Sequence, residues 1–212
     1  MRERLLLPKL YLASASPRRR QLLGLLGVEF TVLVSQFDES SLGHLTDGRV
    51  YVQQAALCKA QEVAQRQAGW ILGVDTDVVA PEGIILGKPA DSAEATQMLR
   101  SLSGKTHSVF SGVALLTVAA PGEIIAQELL VVETRVTMAA LPEEAIAAYV
   151  ATGEPLDKAG GYGIQGGAMP FVTHIEGDPS NVIGLPLWSV AELFSRAEIP
   201  LWRNPGSIPA SK

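Results

Sequence analysis

The apolar residues of this chain fall into short runs and helical stripes separated by polar, glycine-rich breaks. Leu10-Tyr11-Leu12-Ala13 is an apolar run of the length a buried strand carries. The polar loop Ser14-Ala15-Ser16 follows, then Leu22, Leu23, Leu25 and Leu26 supply an apolar helix that Gly27 can stop. Ser16 has the chemistry of a helix N-cap, and Pro17 suits the first helical position. Phe30 to Ser35 reads as a second strand running into the acidic loop Asp38-Glu39. Thr46 or Asp47 caps a long helix expected to end at Gly69, with Val52, Ala56, Lys59 and Val63 on one face. Trp70 to Val79 is a third strand. Its period of two puts Asp75 and Asp77 on one face and Thr76 on the other.

Further on, Ile84-Ile85-Leu86 reads as a short returning strand, and Asp91 with Glu94 forms a capping box for a helix ending near Gly104. Ser108 to Val118 and Ile124 to Met138 are long β-rich runs joined by Pro121-Gly122, which predicts an antiparallel pair. Pro142, Glu143 and Glu144 open a helix that Gly153 closes. Glu154 to Gly167 is a long glycine-rich loop, and Phe171 to Ile175 is another strand. Asn181 to Leu187 leads into a last helix over roughly Leu187 to Arg196. The pattern predicts an α/β fold with mixed strand pairing, without repeats or a separating linker. Residues 1–198 form one domain in this reading, and 199–212 a loosely ordered tail marked by Pro200, Pro205 and Pro209.

The 212 residues are 47% hydrophobic, enough for a sizeable core, and the net charge of −5 argues against a nucleic-acid-binding face. No apolar run reaches membrane-spanning length, and Met1-Arg2-Glu3-Arg4 with the leucines behind it does not make a signal peptide. Cys58 is the only cysteine, so no intrachain disulfide can form, which suits a reducing, cytoplasmic location. His44, His107 and His174 are far apart with no zinc-ligand spacing.

Against this acidic background, Arg18, Arg19 and Arg20 stand in the first turn of a helix. Cations there oppose the helix dipole at about 0.3–1 kcal/mol each, and a bound anion reverses that sign. Free helix N–H groups, the Ser14 and Ser16 hydroxyls and guanidinium forks describe a polyphosphate cradle rather than a solvated basic face. A carboxylate inside an apolar strand needs a partner, a metal or an exposed strand end. Asp75 is read as a catalytic base or metal ligand. Lys59 sits on a buried stripe, and its spacing fits a snorkelling lysine as well as a charge aimed into a cleft.

Three tempting motifs fail. Gly161 to Gly166 spells G-x-G-x-x-G, but a helix is predicted before it and a strand after it, the reverse of a dinucleotide site. Gly104-Lys105-Thr106 would need a Walker glycine where Leu99 stands, and Gly87-Lys88-Pro89 lacks the following Ser or Thr. No G-x-S-x-G occurs, so a serine hydrolase is unsupported.

Taken in order, Ser14-Ala15-Ser16-Pro17-Arg18-Arg19, Asp38-Glu39, Lys59, Gly73-Val74-Asp75-Thr76, Gly87-Lys88-Pro89, Leu102 to His107, Asp157-Lys158-Ala159-Gly160, Tyr162 to Gly166 and Val182 to Pro186 resemble the Maf family of nucleoside triphosphate pyrophosphatases. The match runs from Leu10 to about Phe194. Arg18, Thr76 and Gln165 resemble the branch that hydrolyses dTTP and UTP and mark the positions tied to substrate choice. Asp77 stands where an apolar residue is usual, Gly177-Asp178-Pro179-Ser180 replaces a turn with an aromatic residue, and Arg20 extends the basic run.

The resemblance implies an elongated mixed sheet with flanking helices and a central cleft, similar to the inosine triphosphate pyrophosphatase fold. It implies hydrolysis to a nucleoside monophosphate and pyrophosphate, with Asp75 as proton acceptor. Ser14, Ser16, Arg18, Arg19, Lys59, Lys88 and Lys158 are assigned to the triphosphate. A divalent cation, Mg²⁺ or Mn²⁺, is assigned to Glu39 and Asp75, and a homodimer is expected. The competing reading is a nucleotide-binding regulator of septum formation with little hydrolysis.

Overall fold

Gly69–Val79 (β3) is the strand at which the sheet changes from parallel to antiparallel pairing. In the computed structural model, which describes residues 8–202, β1 (Leu10–Leu12) runs parallel to β2 (Phe30–Val32) on one side and to β3 on the other. From β3 the pairing continues antiparallel through β4 (Thr106–Ala120), β5 (Glu123–Met138) and β6 (Val172–Glu176). The order is β2-β1-β3-β4-β5-β6, the mixed sheet that the pattern predicts.

The helices are α1 (Pro17–Gly24), α2 (Gly48–Ala64), α3 (Ser92–Leu102), α4 (Glu143–Ala151), α5 (Pro179–Ile183) and α6 (Leu187–Arg196). They cover both sheet faces. Leu12, Leu72, Val74, Val113 and Leu115 pack with Leu22 and Leu23 of α1 and Val190, Leu193 and Phe194 of α6. On the other face, Ile71, Ala114 and Leu116 pack under Ala56, Ala60 and Val63 of α2. A third cluster joins Val78, Val109 and Val136 to Leu99 of α3 and Ile146 and Tyr149 of α4.

Close approach of α2 to the sheet decides what its side chains can reach. Gly73 on β3 and Gly112 on β4 lie directly beneath the helix, and a Cβ at either would run into the carbonyl of Ala56 or Val52. The helix therefore settles onto a glycine saddle, and Lys59 comes down beside β3.

The long β3 also leaves an edge open. β1 ends at Leu12, opposite Leu72, and Ala13 N–H makes one more bond to Leu72 O at 2.9 Å. At the far end, Leu86 N–H donates to Val78 O at 2.9 Å and Ile85 bridges Val79. Between these points, among the described residues, no strand lies beside Gly73 to Asp77 on that side. This open edge carries the candidate chemistry.

Some expected boundaries move for local reasons. α2 stops at Ala64, capped at Gln65, and Gly69, at φ +125°, is already the first residue of β3 rather than the end of the helix. The second strand ends at Val32 because β1 offers no ladder beyond Leu12. Ile84-Ile85-Leu86 is a single bridge, since the chain turns away from β3 at Gly87, φ +58°, straight after the Leu86 bond. The start of the expected tail is held: Ile199 is buried in the α1–α6 cluster, and Trp202 N–H donates to Leu26 O at 2.8 Å. Met1 to Arg4 and residues 203–212 lie outside the described residues. Among the described residues, no helix is long and apolar enough to cross a membrane.

Candidate active site

The β1–α1 turn builds the first wall of the cleft. Ser16 caps α1 by accepting Arg19 N–H at 3.4 Å, and Ser14 Oγ accepts Ser16 N–H at 3.3 Å. Arg19 then reaches back over the turn. Its Nη1 donates to Ser14 Oγ and its Nη2 to Thr76 Oγ1, both at 3.1 Å, and its Nε donates to Gly184 O at 3.0 Å. Gly184 ends α5, a helix anchored through Asn181, whose amide donates to Val109 O and Thr134 Oγ1. Burial lowers the Arg19 pKa, against the opposing pull of Asp75 and Glu39.

The open edge of β3 is the floor. Lys59 Nζ sits 2.6 Å from Asp75 Oδ1 and 2.9 Å from Glu39 Oε1. Lys59 thus stands in the cleft, paired with both carboxylates, rather than reaching out to solvent. Glu39 is delivered by a 3-10 turn, Glu39–Leu42, that Asp38 caps through Ser40 N–H. Opposite stand the glycine-rich loop and the loop after Ile85. Lys158 donates to Glu154 O at 2.7 Å and to Asp157 Oδ1 at 2.6 Å, while Arg18 meets Asp157 Oδ2 at 3.2 Å. Asp157 thus counters one cation from each wall. Lys88 is exposed at the rim and makes no salt bridge among the described residues.

Ser14, Ser16, Arg18, Arg19, Glu39, Lys59, Asp75, Thr76, Lys88, Lys158 and Gln165 all line one cleft of about 810 Å³. That volume falls in the range of small-molecule sites, roughly 300–1,000 Å³. Arg20 does not join them. It is exposed and lines an adjoining hollow beside β2 that shares the Ser14–Pro17 turn with the cleft, so Arg18 and Arg19 face the cleft side of that turn and Arg20 the other.

Other residues of the site carried weaker signals. Tyr51 precedes Lys59 by two helical turns on the same face of α2, a spacing that could have found it. It lines the cleft, and burial with Asp75, Glu39 and Asp77 nearby pushes its pKa up to about 12. Tyr162 also lines the cleft, its hydroxyl 2.7 Å from Nε2 of buried His107. Burial takes the His107 pKa down to about 4, so this imidazole is neutral at pH 7. Asp157 and the Gly184 carbonyl had no signal in residue type or spacing.

Asp77 shares the floor with Asp75. Burial first, then Asp75 nearby, raises its pKa to about 7, although Val78 and Gly87 N–H groups pull the other way. The folded state therefore holds a proton that the unfolded chain has released between about pH 4 and pH 7. Stability drawn from this group falls as pH rises through that window and then levels, by on the order of 2–4 kcal/mol. His107 acts in the opposite sense between about pH 4 and 6.5, because its folded pKa is depressed. The two slopes mask each other in the native protein, so the difference between variants is the readout. Thermal unfolding of Asp77→Asn is expected to match the native protein near pH 4 and to be more stable at pH 8. A constant offset across that range contradicts the assignment.

Glu39 and Asp75 are hard oxygen donors of the kind a divalent cation takes. Glu39 and Asp75 aim an oxygen each at one point, now taken by the Lys59 ammonium. No cluster of three or more potential ligand side chains forms among the described residues. One or two carboxylates with substrate phosphates and water is how Mg²⁺ is ordinarily held.

The Maf-like protein family matches this chain over residues 9–197. A dTTP/UTP pyrophosphatase of Moorella thermoacetica is 48% identical over 195 residues, covering 92% of this chain and 97% of that protein. One from Myxococcus xanthus is 48% identical over 197 residues, covering 92% and 95%. Among solved structures, a HAM1 protein from Coxiella burnetii aligns over 90% of this chain and 100% of its own, with a TM-score of 0.51 and 17% identity. That last likeness is one of fold.

Proposed function

The chain belongs to the Maf family, and we propose that it hydrolyses dTTP and UTP to the nucleoside monophosphate and pyrophosphate. The observation that carries this reading is the convergence of cations from separate segments on one cleft whose floor holds Asp75. Relatives named dTTP/UTP pyrophosphatase support the substrate class.

In this reading Arg18, Arg19, Lys59, Lys88 and Lys158 take the triphosphate, with the Ser14 and Ser16 hydroxyls beside it. Arg18 and Lys158 exchange Asp157 for phosphate oxygens on binding, and the held Arg19 presents its fork without reordering. Asp75 accepts the proton of the water that attacks the α-phosphorus. The α–β bridging bond breaks, and pyrophosphate departs with its charge met by the cations. When bound, Mg²⁺ or Mn²⁺ held by Glu39 and Asp75 supplies further neutralisation of phosphate charge. Thr76 and Gln165, with Arg18, face the cleft where the nucleoside would lie and set the choice of base. A cytoplasmic homodimer is part of the same reading, and light scattering of the purified chain tests the dimer.

A panel of nucleoside triphosphates with product identification tests the activity. dTTP and UTP are expected to turn over fastest, each giving monophosphate and pyrophosphate in equal amounts. Release of orthophosphate and a diphosphate, or binding without turnover, overturns the proposal.

A further inference from the structure

Asp77 has no part in the chemistry above, yet it is a carboxylate only 7% exposed inside β3, between Thr76 and Val78 and on the same face as Asp75. Such a group persists where its hydrogen bonds hold something in place. Its Oδ1 accepts two backbone donors. Val78 N–H, at 2.8 Å, is local. Gly87 N–H, at 3.0 Å, comes from the loop that carries Lys88.

The position of that second bond is informative. Leu86 N–H to Val78 O is the last backbone bond between this loop and β3. At Gly87, with φ +58°, the chain turns away, and the carboxylate extends the pairing one residue past the end of the backbone bonds. The other side of the same residue is also engaged, because Gly87 O accepts Gly160 N–H at 2.8 Å. Gly160 follows Lys158 closely and sits at φ +67° over the Val78 side chain, where a Cβ would collide. Asp77, Gly87 and Gly160 thus form a chain of bonds joining β3 to both cation-bearing loops. The Lys88 side chain has no ion pair among the described residues to place it, so its location depends on its backbone.

We propose that Asp77 is a positioning residue that fixes the Lys88 loop, and through the Gly87 carbonyl the Lys158 loop, against the triphosphate. This rests on the reading that Lys88 contacts the phosphates. A merely structural carboxylate would lower stability on removal without coupling to Lys88, so the test is a double-mutant cycle on KM. Lys88→Ala is expected to raise KM for dTTP about tenfold or more. Asp77→Val is expected to raise KM similarly with a smaller change in kcat, and the pair together no more than Lys88→Ala alone. Asp77→Asn, whose amide oxygen still accepts N–H donors, recovers most of the lost affinity. Additive effects, or a folded Asp77→Val with native KM, overturn the proposal. Should Asp77→Val fail to fold, Asp77→Ser, too short to reach Gly87, takes its place in the cycle. Hydrogen exchange without nucleotide separates the two readings. Faster exchange of Gly87 and Gly160 together in the Val or Ser variant supports the clamp, and unchanged protection overturns it. An unaltered KM in Lys88→Ala removes the phosphate role of Lys88 and leaves the exchange result to decide on Asp77.

Discussion

Asp75→Asn is expected to lower kcat for dTTP and UTP by about 100- to 10,000-fold, the span over which a positioned general base contributes. KM should change far less than kcat, because Arg18, Arg19, Lys59, Lys88 and Lys158 remain to bind the triphosphate and Glu39 remains for the metal. The fold should also survive. An asparagine oxygen can still accept from Lys59, and Lys59 keeps its contact with Glu39 at 2.9 Å. Steady-state kinetics beside a thermal melt give both readouts. Near-native kcat in a folded variant would take Asp75 out of the proton-accepting role.

Lys59→Met should damage both activity and stability, which sets it apart from the asparagine variant. The methionine keeps most of the stem's volume but removes the charge that meets Asp75 at 2.6 Å. Asp75 is 6% exposed and Asp77 beside it 7%, so the loss leaves a buried carboxylate facing other acids. Removing one partner of a buried ion pair costs about 3–5 kcal/mol. For a protein of this size that lowers the melting temperature by about 10 °C. Losing a cation from the phosphate site should also reduce kcat/KM by about 100- to 1,000-fold. A Lys59→Met protein that melts and turns over like the native one contradicts the placement of Lys59 at the centre of the cleft.

Local chemistry made much of the site legible. The Ser16 cap, Pro17 and the adjacent arginines are neighbours in sequence, and the structure forms them as one strand-loop-helix unit. Strand period two placed Asp75 and Asp77 on a single face, and both are buried there. The spacing of Lys59 leaves its direction open for a reason outside its own helix. Whether it snorkels or enters the cleft depends on how deeply α2 settles, and Gly73 and Gly112 on other elements set that depth. Arg20 shows the reverse limit, since one residue step around a helix is enough to send a guanidinium to the adjoining hollow. Asp157 and Gly184 owe their roles to partners more than a hundred residues away in the chain. Spacing carries no trace of such pairings, whereas an ordered set of family motifs does.

The central claim is that the cleft's cations hold a triphosphate while Asp75 deprotonates water for attack at the α-phosphorus. Hydrolysis of dTTP in ¹⁸O-labelled water, with mass analysis of both products, tests it most directly. The account predicts one labelled oxygen in the nucleoside monophosphate and none in pyrophosphate. Label in the pyrophosphate, or in released orthophosphate, would contradict it.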